Sequence, residues 1–225
     1  MMEIANLLLG VGVLATFGVL VWLLRKLEKE RTVKISQLAA GLGLEFQPLG
    51  DTALQQRLGK HHLFNIGHSR KLINLVTEEK DDCRISIFDY HYSTFSGKGR
   101  SKTKLTVVAL ESPRLRIPAF TLRPEFSLDK IGGRIGLQDI DFEDNASFSQ
   151  GYVLKSSDEG ETRKLFSRAL QDFFVQLSPG CCVEAIDGTI VYYNILRSGR
   201  INRKPEDYPR LLDESYRLLR LILDR

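Results

Sequence analysis

Asp89 and His91 lie two apart in FDYHY, so in an extended chain they share one face, the arrangement of a base and the group that orients it. With the acidic run QDIDFEDN, which supplies Asp139, Asp141, Glu143 and Asp144, they make a candidate hydrolytic centre. No serine or cysteine stands at a nucleophile elbow to complete it, and a cross-strand polar pair explains Asp89 and His91 equally well. The acidic run could hold a hard cation, yet it lacks the invariant glycine and terminal glutamate of a calcium loop, and a solvated acidic turn fits it too. His61 and His62 are neighbours that point apart in extended chain. Neither they nor His68 fall into HExxH or Cys/His metal spacing. No catalytic residue, metal ligand set or cofactor motif is therefore assigned.

A second candidate is basic. SGKGRS (Ser96 to Ser101) separates two β-rich runs and superficially resembles a phosphate loop. A Walker A loop needs G-x-x-x-x-G-K-[ST] between a strand and a helix. Here Gly99 follows Lys98, the upstream glycine is missing, and the next element is a strand. The glycines serve a turn. Lys98, Arg100, Lys102 and Lys104 alternate, so they project from one face, which Thr106, Val108 and Leu110 continue. Two readings remain: a hairpin edge protected by lysine, or a basic fringe that meets anionic lipid headgroups at about 1 kcal/mol per residue. Tyr90 and Tyr92 could stack on bases, but their alternation with Phe88 fits a core face as well, and a net charge of +4 argues little for nucleic acid.

The elements that must position these groups begin with IANLLLGVGVLATFGVLVWLL, Ile4 to Leu24, which contains no charged residue. Roughly 20 apolar residues suffice to cross a ~30 Å hydrocarbon core, and Trp22 near one end suits the headgroup level. The run begins with Met-Met-Glu and continues straight into RKLEKER, unlike a cleaved signal peptide. Arg25, Lys26, Lys29, Arg31 and Lys34 flank its C-terminal end. The positive-inside rule therefore places the remainder in the cytoplasm of a single-pass cell-membrane protein, with a short external tail. Arg25, Lys26, Lys29 and Arg31 join the hairpin lysines as expected contacts to the anionic surface. Three cysteines, Cys83, Cys181 and Cys182, make no secreted disulfide framework, and the adjacent pair reads as small buried residues on opposite strand faces.

Beyond the span, residues 26–43 predict a juxtamembrane helix, and 44–225 an α+β domain. Asp51 caps a helix through Leu58. Strands are expected over Lys71 to Glu78, Arg84 to Phe95, Lys102 to Glu111 and Ala119 to Arg123, forming an antiparallel meander. An irregular stretch follows from Glu125 to Gln150. One long amphipathic helix is expected from Asp158 to Leu177. A hairpin then turns at Asp187-Gly188, with strands Cys182 to Ile186 and Thr189 to Leu196. A second amphipathic helix, Pro209 to Leu223, closes the chain. The composition, 43% hydrophobic and 27% charged, is that of an ordinary globular protein.

The order GLGLEF, FDYHY, SGKGR, TVVAL, LRPE and QDIDF resembles that of a group of uncharacterised bacterial proteins with one N-terminal membrane span. The resemblance covers Ala40 to about Leu196 and implies a single membrane-anchored bacterial domain, with no activity to carry over. Together these readings point to a membrane-anchored cytoplasmic module, non-catalytic, that binds a protein partner or the membrane surface. A tethered hydrolase using Asp89, His91 and the acidic run, and a scaffold subunit of a membrane complex, are the alternatives.

Overall fold

The computed structural model describes residues 2–97, 99–126, 138–177, 180–195 and 203–224; within its helices and strands, the side chains of residues 2–14, 96 and 138 are not described. These residues form one antiparallel sheet and six α-helices, so the α+β class expected from the sequence is met. The helices are α1 (Met2–Leu42), α2 (Thr52–Leu58), α3 (Ala146–Gly151), α4 (Glu159–Leu165), α5 (Arg168–Gln176) and α6 (Tyr208–Leu223). The strands are β1 (Glu45–Leu49), β2 (His68–Lys80), β3 (Cys83–Ser96), β4 (Gly99–Glu111), β5 (Phe120–Pro124), β6 (Gln138–Ile140), β7 (Tyr152–Ser156), β8 (Cys181–Ile186) and β9 (Thr189–Asn194).

Their order in the sheet is β1-β2-β3-β4-β9-β8-β5-β7-β6. The expected meander of β2, β3 and β4 and the expected hairpin are thus one sheet, joined where Val107 to Glu111 pairs with Thr189 to Tyr193, whereas β5, expected beside the meander, pairs with β8 and β7 instead. Asp187-Gly188 forms the tight turn between β8 and β9, with both residues at positive φ as a two-residue hairpin requires. Strand alternation divides the core. Ile85, Ile87, Val108, Leu110, Ile190 and Tyr192 face one side, with apolar residues of α1, α5 and α6. Phe88, Tyr90, Leu105, Val107, Val191 and Tyr193 face the other, under α2 and a 3-10 turn, His62–Asn65. Cys181 and Cys182 fall on opposite sides, as their adjacency predicts. Burial pushes the Cys182 thiol up to about 12, which removes its thiolate reactivity at neutral pH.

Asp51 caps α2 as expected, accepting from the backbone N–H groups of Ala53 and Leu54. The single helix expected over Asp158 to Leu177 is instead two. Ser167 leaves the helical path, and its hydroxyl accepts from the Leu170 N–H to start α5. Gln171 donates to the Phe166 carbonyl that the break frees, at 2.8 Å. The apolar stripe survives the break, with Leu165, Phe166, Leu170, Phe173 and Phe174 all buried. The stretch expected to be irregular contains β6 and α3; residues 127–137 of it lie outside the described residues.

α1 is one continuous helix of 41 residues, about 60 Å long. Among the described residues no helix is long and apolar enough to cross a membrane. The first half of the expected span, through Leu14, lies outside the described side chains. At its other end α1 packs into the domain, where Ile35 and Ala39 are fully buried. The helix expected over 26–43 is the C-terminal part of α1, and Ile35 and Ala39 of its second half join the domain core.

Candidate functional site

The polar residues of the sequence gather where α1 crosses the sheet. Asp89 of β3 is 1% exposed, and Arg31 of α1 reaches it with two parallel bonds, Nε to Oδ2 at 2.8 Å and Nη2 to Oδ1 at 2.7 Å. This fork-to-fork contact is the strong form of an ion pair. Asn74 donates through Nδ2 to Oδ2 at 2.8 Å, and the Thr106 hydroxyl donates to Oδ1 at 3.4 Å. The Thr32 hydroxyl on α1 donates to Asn74 Oδ1 at 2.8 Å. One turn earlier, Lys104 of β4 meets Glu28 at 2.5 Å, and this bond is the leading cause that lowers the Glu28 pKa. The backbone N–H of Arg203 donates to Thr106 Oγ1, and its guanidinium donates to Asn194.

Backbone irregularity makes the centre possible. β2 slips its register between Ile73 and Val76, and Asn74 within the slip has φ 55. A bulge re-aims one side chain, and asparagine tolerates the left-handed region that this one requires. The Asn74 amide is thereby placed between Asp89 and Thr32.

His91 lies on the same face as Asp89, as expected, and is 6% exposed. Burial lowers its pKa to about 4; Lys104 and Lys102 push it the same way, against Asp89 and Glu28. The neutral imidazole thus stands beside a carboxylate already held by arginine. The acidic run is elsewhere. β6 stands six strands from β3, about 29 Å at the usual spacing. Asp139 is paired with Lys155 at 2.8 Å, and the backbone carbonyls of Asp141 and Asp144 accept from Arg163 and Arg168. The grouping of Asp89, His91 and the acidic run is thus not assembled. Among the described residues no three His, Cys, Asp or Glu side chains are placed to share a metal ion.

The expected surface cations divide. Arg31 turns inward to Asp89, which corrects its expected place at the lipid surface. Lys104 is half-buried against Glu28, while Arg100 and Lys102 remain exposed near the β3–β4 turn. Arg100 donates to the Ser69 and Ser93 hydroxyls at 3.3 Å each. Lys26 approaches Glu30 at 3.9 Å, and Arg25, Lys26 and Lys29 are exposed on α1. Lys98 lies outside the described residues. Tyr90 is buried against Phe64, with ring centroids 4.8 Å apart, and so presents no stacking platform.

A second buried carboxylate had no signal in the sequence. Glu184, 1% exposed on the opposite sheet face, accepts from the backbone N–H groups of His62 and Leu63 and from the Tyr193 hydroxyl. Arg123 stands 3.6 Å away. Its place at the start of the 3-10 turn makes it a cap supplied from another strand. At the sheet end remote from the α1 crossing lies an open cleft of about 850 Å³, lined by Glu79, Asp81, Asp82, Arg84, Glu111 and Asp187 among others.

What the fold and this centre define is an antiparallel α+β domain with a long N-terminal helix locked to it by a buried ion pair. The crystal structure of the mycobacterial trehalose monomycolate transport factor A, TtfA, has a similar fold, with a TM-score of 0.60 at 12% sequence identity, over 85% of this chain and 95% of that one. At that identity the likeness is one of fold. No family model matches the chain, and no curated protein matches it.

Proposed function

We propose that this chain is a membrane-anchored, non-catalytic binding module. α1 crosses the bilayer through Ile4 to Leu24, and the domain is held beside the cytoplasmic surface, where it serves a protein partner. The observation that carries this reading is the exposed apolar surface of α1. Phe17, Val19, Leu20, Trp22, Leu23, Leu24 and Leu27 project into solvent from a helix whose far end is fixed in the domain. So much contiguous apolar surface demands a cover, and the uncharged run extends it to the length of a bilayer core. Arg25, Lys26 and Lys29 at its inner end favour the cytoplasmic orientation. The name of TtfA joins this fold to a transport factor, and a membrane-associated, transport-related role is the reading extended here.

The test is fractionation of cells that express the full chain, with alkaline carbonate washing and with protease added outside intact cells. The expected result is a chain that stays in the membrane after washing and whose domain resists the protease. Release by carbonate would show that α1 is covered by protein, as a scaffold subunit requires, and digestion from outside would reverse the orientation.

A further inference from the structure

The pairings fix the direction of α1. Thr32 meets β2 at Asn74, Arg31 meets β3 at Asp89, and Glu28 meets β4 at Lys104, which is opposite His91. Toward its N-terminus α1 therefore runs with β3 toward the β3–β4 turn. From His91 to Phe95 the strand advances about 13 Å, which matches about nine residues of helix. Starting from Glu28, that distance brings Phe95 level with the turn around Val19, about 7 Å inside the inner end of the expected span at Leu24.

At that level the hairpin carries an aromatic ring in solvent. Phe95 is 75% exposed and stacked on His68, with centroids 4.6 Å apart and planes 13° from parallel, so the ring is supported from one side and open on the other. Charge follows the same axis. No Asp or Glu occurs from His68 to Leu72 or from Tyr90 to Leu105, the segments that build this end of β2, β3 and β4. Arg70, Lys71, Arg100 and Lys102 are exposed there. The opposite end holds Glu79, Asp81, Asp82, Glu111 and Asp187, and three of its cations are paired with acids, as Arg57–Glu111, Arg84–Glu79 and Lys60–Asp187. An edge protected only by lysine needs neither an exposed aromatic at its tip nor this segregation along the anchor axis.

We infer that the β3–β4 hairpin tip is a second membrane contact. Phe95 enters the headgroup boundary, and Arg100 and Lys102, with Arg70 and Lys71, meet the phosphates of anionic lipid. The partner is the bilayer surface itself. An interfacial aromatic flanked by cations is how peripheral surfaces combine apolar burial with charge attraction. The inference rests on α1 as the anchor, and the two fail separately in one experiment.

The single tryptophan makes that experiment possible. The full-length chain is reconstituted into phosphatidylcholine vesicles with or without phosphatidylglycerol, and indole fluorescence is read with bromine-labelled lipids. In the wild type, Trp22 reports α1. In the Trp22→Phe/Phe95→Trp variant, the indole at position 95 reports the hairpin. Both are expected to be quenched by bromolipid, the second more strongly with phosphatidylglycerol present. Arg100→Gln/Lys102→Gln, or raised salt, is expected to weaken the second without touching the first. Quenching of Trp22 with none at position 95 overturns the hairpin contact and leaves the anchor standing. Absence of quenching at Trp22 overturns both.

Discussion

Removing the Arg31 guanidinium puts the α1 crossing to its sharpest test. Asp89 is buried and accepts from four groups: two on Arg31, one on Asn74 and one on Thr106. In Arg31→Met the carboxylate keeps two neutral donors and loses its counter-charge. Breaking a buried pair from one side costs about 3–5 kcal/mol, because the remaining charge stays desolvated. At roughly 2–4 °C per kcal/mol for a domain of this size, melting should fall by about 6–20 °C. Asp89→Leu should cost less, since the Arg31 side chain is 18% exposed and its long stem can carry the guanidinium to water. The double variant Arg31→Met/Asp89→Leu should recover most of the loss, as apolar replacements of buried pairs often do. The assay is a near-ultraviolet circular dichroism melt of the full chain in detergent for all four proteins. An Arg31→Met melting temperature within about 3 °C of wild type would refute the reasoning, because Asp89 would then be solvated or differently paired.

Two further expectations concern the same region. The depressed His91 pKa means that between about 6.5 and about 4 the unfolded chain binds a proton that the native chain refuses. Stability is then full above the unfolded value and declines as pH falls toward 4. The urea midpoint should drop over that window, and His91→Gln should flatten the decline; identical pH profiles for the two proteins would remove His91 from the account. Deleting residues through Leu24 should leave a domain that unfolds cooperatively, whereas deletion through Gly43 also removes Arg31, Ile35 and Ala39 and should abolish that cooperative transition. A stable domain lacking all of α1 would show that the helix contributes little to the core.

The strands of the meander were legible because branched and aromatic residues alternate through them, and the hairpin at Asp187-Gly188 because few dipeptides suit a two-residue turn. β6 and β7 were not. β7 is five residues in a mixed run, and its identity is set by Phe120 to Pro124 pairing beside it. The break at Ser167 is hidden in the sequence because the apolar stripe runs through it unchanged; its one signal is the cap itself, a serine three residues before Leu170. The polar centre was half legible. Asp89 and His91 stand out in the sequence as a pair on one face, whereas Arg31 is one of several juxtamembrane cations. Nothing in RKLEKER separates Arg31 from Lys29. The distinction comes from helical phase relative to Ile35 and Ala39, which lie four and eight residues on and share its face.

That shared phase explains why a charge sits where an apolar residue could pack. The apolar seam between α1 and the sheet is thin, with Ile35 and Ala39 buried and Leu38 only partly so. A short aliphatic stripe tolerates a slide of one helical turn, about 5.4 Å, with modest loss. A bidentate pair does not. Moving α1 by one turn would carry the guanidinium away from Asp89 and leave the amide of Asn74, which its bulge points at one place, facing the wrong residue. Arg31 and Asp89 thus set the depth and rotation of the helix more than they add to stability, which is the use of buried polar groups with the best precedent. The Arg31→Met/Asp89→Leu variant separates the two roles, since it restores stability while removing the registering contact. Where α1 lies in a bilayer, a slide of one turn would lift the hairpin tip out of the headgroup layer or drive it toward the acyl chains. With α1 in a bilayer, the depth of Phe95 would be set by the Arg31–Asp89 pair, some twenty ångströms back along β3, because that pair resists a slip of the helix.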